Sequence, residues 1–244
     1  MYIETTNSTN TLLREYIANG NPPQYIYTGF QTAGRGQTGN GWESQKGKNL
    51  LCSILLPPTE MPFMLNVAVS VAVHRAISEI GINDVTIKWP NDIYWKDKKI
   101  AGILIENAII GNKIVHSIAG IGLNINQTEW LSNAPNPVSL TQITGETYDI
   151  HQWMQRIWNQ VQQTINEDTW TYYKSHLYRR DGLWPFIERE VTTAPTMNAD
   201  NNAKGQFMAC IEDILPSGEL VLRDQQNKLR TYHFKQIRYV LYIL

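Results

Sequence analysis

Residues 88–106 read KWPNDIYWKDKKIAGILIE, and the fold class turns on how this stretch divides. Residues 100–105 are apolar at both alternating positions, the pattern of a strand covered on both faces. Gly102 interrupts the run without a side chain, which marks a place where a ligand or another backbone comes close. Upstream, Pro90-Asn91-Asp92 forms a turn, and Trp95-Lys96-Asp97-Lys98 reads as a hairpin loop. Lys96 and Lys98 belong to that solvated loop. Lys99 stands at the mouth of the buried strand, where an ammonium is placed to hold an anion.

The chain has 244 residues, enough for one substantial core and a small appended domain. A formal net charge of −1 gives no electrostatic case for nucleic acid. No apolar run approaches the roughly 18 to 20 residues that span a bilayer. The first residues, MYIETTNSTN, lack a signal-peptide pattern, so no membrane partner and a cytoplasmic location are expected. Cys52 and Cys210 are too few for a disulfide framework, and Cys52 lies in an apolar strand pattern that suits an inert thiol. The five histidines show no metal-ligand spacing, and His74 reads as a residue at the core boundary.

Outward from the central stretch, small polar residues at 5–10 precede Leu12, Leu13, Tyr16 and Ile17, which places a helix N-cap at Asn7 or Ser8. Residues 25–30 form a β-prone strand that leads into Gln31-Thr32-Ala33-Gly34-Arg35-Gly36-Gln37. Gly34, Gly36 and Gly39 match G-x-G-x-x-G, but a dinucleotide site needs a helix to open at the third glycine. Here the chain continues through Gly41-Trp42 and Gly47-Lys48 into a strand at 49–56, so that reading is rejected. Apolar spacing predicts a helix over 62–80, stopped by Gly81. Residues 113–125 look like β-structure in which Gly120 and Gly122 either admit a ligand or form a bulge. Residues 130–145 read as a loop. Asp149 caps a helix carrying Trp153, Ile157, Val161 and Ile165, and Trp170, Tyr172 and Tyr173 continue that helical segment. From Trp184 the chain breaks into short β-pieces with turns at 216–218 and 225–227, a small barrel that leans on the main domain.

Three motifs, residues 88–106, residues 34–42 (GRGQTGNGW) and residues 120–126 (GIGLNIN), closely resemble the signature of biotin protein ligases. The resemblance runs from Ser8-Thr9-Asn10 to the C-terminal region. It implies an α+β fold in which a mixed β-sheet carries helices on one face, as in class II synthetase-like ligase domains. Residues 1–183 would form the catalytic domain and 184–244 an SH3-like domain. No N-terminal DNA-binding domain is expected, and both monomer and homodimer stay open.

The activity implied has two halves. ATP and biotin give biotinyl-5'-AMP, and a lysine of a biotin carboxyl carrier protein then takes the acyl group. Biotin would lie against Ser8, Thr9, Asn10, Gln31, Gly34, Arg35, Gly36, Gln37, Lys99, Gly102 and Gly120. ATP would meet Arg35, Gln37, Asn40, Trp42, Asn91, Asp92, Lys99 and Asn124, with Asp92 as a magnesium ligand. Lys99 and Arg35 are the expected catalytic pair, because charge moves between oxygens and fixed cations stabilise it. Trp42 either offers its ring to adenine or closes the core. Many family members have arginines at the positions of Gln37 and Asn40, so this loop carries one positive charge where others carry three. Lipoate ligation and non-catalytic biotin binding are the alternatives. The neutral polar set Ser8, Thr9 and Gln31 suits a ureido ring better than a dithiolane, and simple ureido binding needs none of Lys99, Arg35 and Asp92.

Overall fold

A computed structural model describes residues 1–37, 41–132, 134, 136–189 and 203–241, with backbone alone at 203 and 204. Seven strands form the central sheet: β1 (Tyr2–Thr6), β2 (Tyr25–Gln31), β3 (Leu50–Leu56), β4 (Val85–Lys88), β5 (Asp92–Trp95), β6 (Lys98–Ile110) and β7 (Lys113–Leu123). Their order is β1-β2-β3-β7-β6-β5-β4. The β1–β2 pair is parallel and every other neighbour antiparallel. Residues 113–123 form one continuous strand rather than two pieces joined by a glycine bulge.

Alternation along the strands sorts the side chains into two layers. Leu50, Cys52, Ile54 and Leu56 of β3, Ala101 and Ile103 of β6, and Ala119, Ile121 and Leu123 of β7 join the main core. Helices α2 (Pro62–Ser78) and α4 (Ile150–Thr164) cover that face. Pro62 occupies the first turn of α2, where a missing N–H costs nothing. Asp149 caps α4 by accepting from Gln152 N at 3.0 Å, as its position before the apolar run predicts.

The expectation of helices on a single face holds for α2 and α4, but α1 (Thr9–Ala18) packs on the opposite face against β2, β3 and β7. There Leu13, Ile26 and Ile118 form a small second cluster. Two helical readings also change. Residues 130–145 contain α3 (Leu140–Thr144), opened by a capping box between Ser139 and Gln142; the S-x-x-Q spacing carried that signal. Trp170, Tyr172 and Tyr173 lie in a separate helix, α5 (Trp170–Ser175), which follows a turn instead of extending α4.

A second, antiparallel sheet contains β8 (Trp184–Arg189), β9 (Ala203–Ile214), β10 (Leu220–Asp224), β11 (Leu229–Tyr232) and β12 (Ile237–Tyr239), in the order β11-β10-β9-β8-β12. It docks on the β4–β5 turn, where Trp89 Nε1 donates to Gly218 O at 3.0 Å and the Trp89 and Phe234 rings meet edge-on at 6.2 Å.

Candidate functional site

The layer opposite the main core holds a cavity of ≈ 550 Å³, within the range of small-molecule sites. Its floor is a row of paired residues across four strands: Leu51 pairs with Gly122, Gly122 with Gly102, and Gly102 with Asp92. A parallel row joins Ser53, Gly120 and Leu104. Gly102 thus interrupts an otherwise apolar strand because one face of β6 belongs to the core and the other to this floor. Contacts with the glycines are close. A Cβ at Gly120 would sit 2.5 Å from Asn10 Oδ1, and one at Gly102 would sit 2.8 Å from the Trp42 ring. Gly122 lies against the same indole.

One end of the cavity is neutral and hydrogen-bonding. Ser8, Thr9 and Asn10 are buried at the start of α1. Ser8 holds the N-cap position without a side-chain capping bond, which leaves its hydroxyl uncommitted to the helix. Gln31 Oε1 accepts from Thr9 N at 2.8 Å and Thr9 Oγ1 at 3.1 Å. Ser53 Oγ lies 2.7 Å from Thr9 Oγ1 and donates to Asn10 Oδ1 at 2.5 Å.

The other end is charged. Lys99 Nζ lies 2.6 Å from Asp92 Oδ1, and Lys88 Nζ lies 3.8 Å from Asp92 Oδ2. Strict alternation would put Lys99 on the core side with Ala101. A register shift opposite Ile93 and Tyr94 sets Asp92 against Gly102 but Tyr94 against Lys99, so the extra residue is Ile100. That bulge re-aims Lys99 into the cavity, and Ile100 is buried in the main core. Burial pushes the Lys88 ammonium below its ordinary range, against the attraction of Asp92. Its charge faces the rings of Tyr94 at 5.3 Å and Tyr239 at 5.0 Å.

Between the two ends runs the glycine loop. Arg35 bridges to Gly41, and Trp42 N donates to Gly34 O at 3.0 Å, closing the loop at its neck. Trp42 lies on the glycine floor with Lys99 Nζ 5.4 Å from its ring. Arg35, Gly36 and Gln37 line the cavity, while the Arg35 guanidinium pairs with Glu106 at 3.2 Å. Asn40 lies outside the described residues.

Three assignments change. Gly34 packs between the Trp42 carbonyl and the Gln31 amide and forms the neck of the loop instead of the wall. Asn124 is buried and donates to Val138 O at 3.1 Å and Lys99 O at 3.4 Å; it braces the strand carrying Lys99 and does not line the cavity. Asp92 as a magnesium ligand finds no support in this geometry. Its carboxylate is engaged by two ammoniums, it is the only carboxylate among the described residues lining the cavity, and no cluster of metal-binding side chains occurs among the described residues. Asn91 reaches the cavity wall, but its side-chain amide donates to Ile103 O.

Some residues of the site escaped sequence reasoning. By pattern Ser53 is one more small residue in an apolar strand, and Glu106 is the polar end of the central motif. Lys88, Phe234, Lys235, Arg238 and Tyr239 line the charged end. The last four, Phe234 and Lys235 in the β11–β12 turn and Arg238 and Tyr239 in β12, had no sequence signal tying them to residues more than a hundred positions away.

The architecture, a mixed seven-stranded sheet followed by a small antiparallel one, is similar to that of solved biotin protein ligases. The chain resembles the Aquifex aeolicus biotin protein ligase solved with biotin and ATP, with a TM-score of 0.77, 22% identity and 98% of each chain covered. It also resembles the Leishmania major enzyme solved with biotinyl-5-AMP, with a TM-score of 0.64, 20% identity, and 95% and 97% of the two chains covered. These likenesses concern the fold. Residues 2–124 match the Biotin/lipoate A/B protein ligase family, and the chain belongs to that family. Among curated relatives, the Bacillus subtilis bifunctional ligase/repressor BirA is 34% identical over 160 residues, 61% of this chain and 48% of the relative. The Homo sapiens biotin–protein ligase is 38% identical over 105 residues, 39% of this chain and 14% of the relative. The chain spans about half or less of the length of these relatives.

Proposed function

We propose that the protein is an ATP-dependent biotin protein ligase. The observation that carries the reading is the glycine-floored row that runs from neutral polar groups to Lys99. A ureido ring needs donors and acceptors without charge, which Ser8, Thr9, Asn10, Gln31 and Ser53 supply. A side-chain-free floor at Gly102 and Gly122 gives passage to an acyl chain once the Trp42 indole shifts. The acyl carboxylate then falls beside Lys99.

In the first half-reaction a carboxylate oxygen attacks the α-phosphorus of ATP, the bond to the β-phosphate oxygen breaks, and pyrophosphate leaves. Lys99 follows the negative charge from carboxylate to phosphate oxygens, while Asp92 holds its ammonium at the end of the floor. Among the described residues the carboxylate expected to hold magnesium, Asp92, is already engaged by Lys88 and Lys99, and no step is routed through the metal. In the second half-reaction a neutral lysine amine of a biotin carboxyl carrier protein attacks the acyl carbon. AMP leaves with the acyl–oxygen bond broken, and the amine proton passes to solvent. Cations fixed before reaction stabilise both transition states without reorganisation. Residues 1–183 are taken as the catalytic unit and 184–244 as a second unit that walls its charged end. Among the described residues no helix is long and apolar enough to cross a membrane.

The test is the intact mass of a biotin carboxyl carrier domain after incubation with the protein, MgATP and biotin, with lipoate in parallel. One biotinyl addition on one lysine, dependent on ATP, is expected. A lipoyl addition instead moves the protein to the lipoate branch of its family, and biotin binding without addition to the carrier refutes catalysis.

A further inference from the structure

Glu106 sits where β6 leaves the core, and its carboxylate gathers three partners. Oε2 accepts from Asn10 Nδ2 at 2.7 Å and from an Arg14 guanidinium nitrogen at 2.9 Å. The Arg35 guanidinium lies 3.2 Å from Oε1 and 3.3 Å from Oε2. Arg14 thus makes the short contact and Arg35 the long ones. Arg35 also donates to Thr11 Oγ1 at 3.3 Å and lines the cavity.

The charges do not balance within this trio: two guanidiniums share one carboxylate. If Arg35 turns toward an anion in the cavity, Glu106 keeps Arg14 as its counter-ion and Asn10 as its hydrogen-bond partner. The departure leaves no carboxylate unpaired, so Arg35 is a transferable cation. We infer that Glu106 and Arg14 are positioning residues that hold Arg35 in reserve and set how firmly it engages an acyl-adenylate. This rests on the reading that Arg35 meets the adenylate. An adenylate competes with Glu106 for the guanidinium, and its apparent affinity is lowered by the fraction of Arg35 held on Glu106.

The two holding residues act in opposite directions. Glu106→Gln removes the competing charge, while its amide oxygen still accepts from Asn10. Arg14→Ala leaves Glu106 with a single cation and tightens its hold on Arg35. A role in packing alone would shift both variants the same way.

The experiment measures dissociation of biotinyl-5'-AMP from the full chain, chased with excess unlabelled adenylate. Wild type, Glu106→Gln and Arg14→Ala are compared, each with Arg35 and with Arg35→Ala, and biotin affinity serves as the check on Asn10. Glu106→Gln is expected to slow release roughly two- to fivefold and Arg14→Ala to speed it by a similar factor, the scale of a partly exposed ion pair. Both effects should vanish without Arg35. Shifts in the same direction, no shift, or shifts that persist with Arg35→Ala overturn the inference and leave the ligase reading intact. A wild type that neither makes nor holds biotinyl-5'-AMP overturns both.

Discussion

Lys99 Nζ lies 2.6 Å from Asp92 Oδ1 across the β5–β6 pair, a contact that exists because the strand bulges at Ile100. Without the bulge the ammonium would point into the apolar layer, where an unpaired charge is costly. With it, Lys99 meets the cavity beside a carboxylate that fixes its position. Lys99→Ala is therefore expected to cost roughly 3 to 4 kcal/mol of activation free energy for adenylation, the scale of one lost oxyanion contact. Pyrophosphate release with saturating biotin measures it, and near-normal turnover would remove Lys99 from the chemistry.

That bulge marks the limit of sequence reasoning in this chain. Buried β6, the glycine loop, α2, the Asp149-capped α4 and the β-rich C-terminal region all follow from period, punctuation and caps. The neutral pocket of Ser8, Thr9 and Gln31 came instead from the family resemblance, since spacing alone reads the first two as helix-capping residues. What escaped depends on register between segments far apart in the chain. Alternation alone sends Lys99 to the wrong face, and no local pattern shows that Asn124 spends its amide on Val138 O. Nor does one show that Glu106 gathers Asn10, Arg14 and Arg35. His74 is another such case, since spacing placed it at a boundary that tertiary packing turned into core.

Gly120→Ala tests the floor beneath the neutral pocket. A Cβ there would fall 2.5 Å from Asn10 Oδ1, closer than real Cβ contacts allow. Asn10 must then leave Ser53 and Glu106. Loss of one such hydrogen bond in a buried site costs about 1 to 3 kcal/mol, so biotin affinity should fall roughly fivefold or more in a calorimetric titration. Unchanged affinity would mean that biotin does not rest on this row.

Gln37→Arg tests the charge deficit of the glycine loop. Gln37 lines the cavity, and a guanidinium there would add a charge-assisted contact, about twice as strong as a neutral one. Wild type is expected to release free biotinyl-5'-AMP more readily than the variant. The comparison is adenylate accumulated in solution without carrier protein. Equal release from both would show that cations elsewhere in the cavity, such as Lys88 or Arg238, already supply the missing charge.

His74 sets an acid limit on stability. It is 2% exposed, its Nε2 lies 3.0 Å from Val85 O, its Nδ1 lies 3.1 Å from the Tyr172 hydroxyl, and the His176 ring stands 4.8 Å away. Burial, with the nearby His176 and Arg75, lowers its pKa to about 4 despite the Val85 carbonyl. Unfolded, the same ring takes its proton near 6.5. Below that pH the unfolded chain binds a proton that the folded chain refuses. The contribution of a neutral His74 is therefore complete above pH 6.5 and drains away as pH falls toward 4. The difference corresponds to about 3 kcal/mol over that window. Urea unfolding of wild type should lose stability steeply between pH 6.5 and 4, and His74→Gln, which keeps polar contacts but does not titrate, should flatten the slope. A slope unchanged by the substitution would assign the acid sensitivity to other groups.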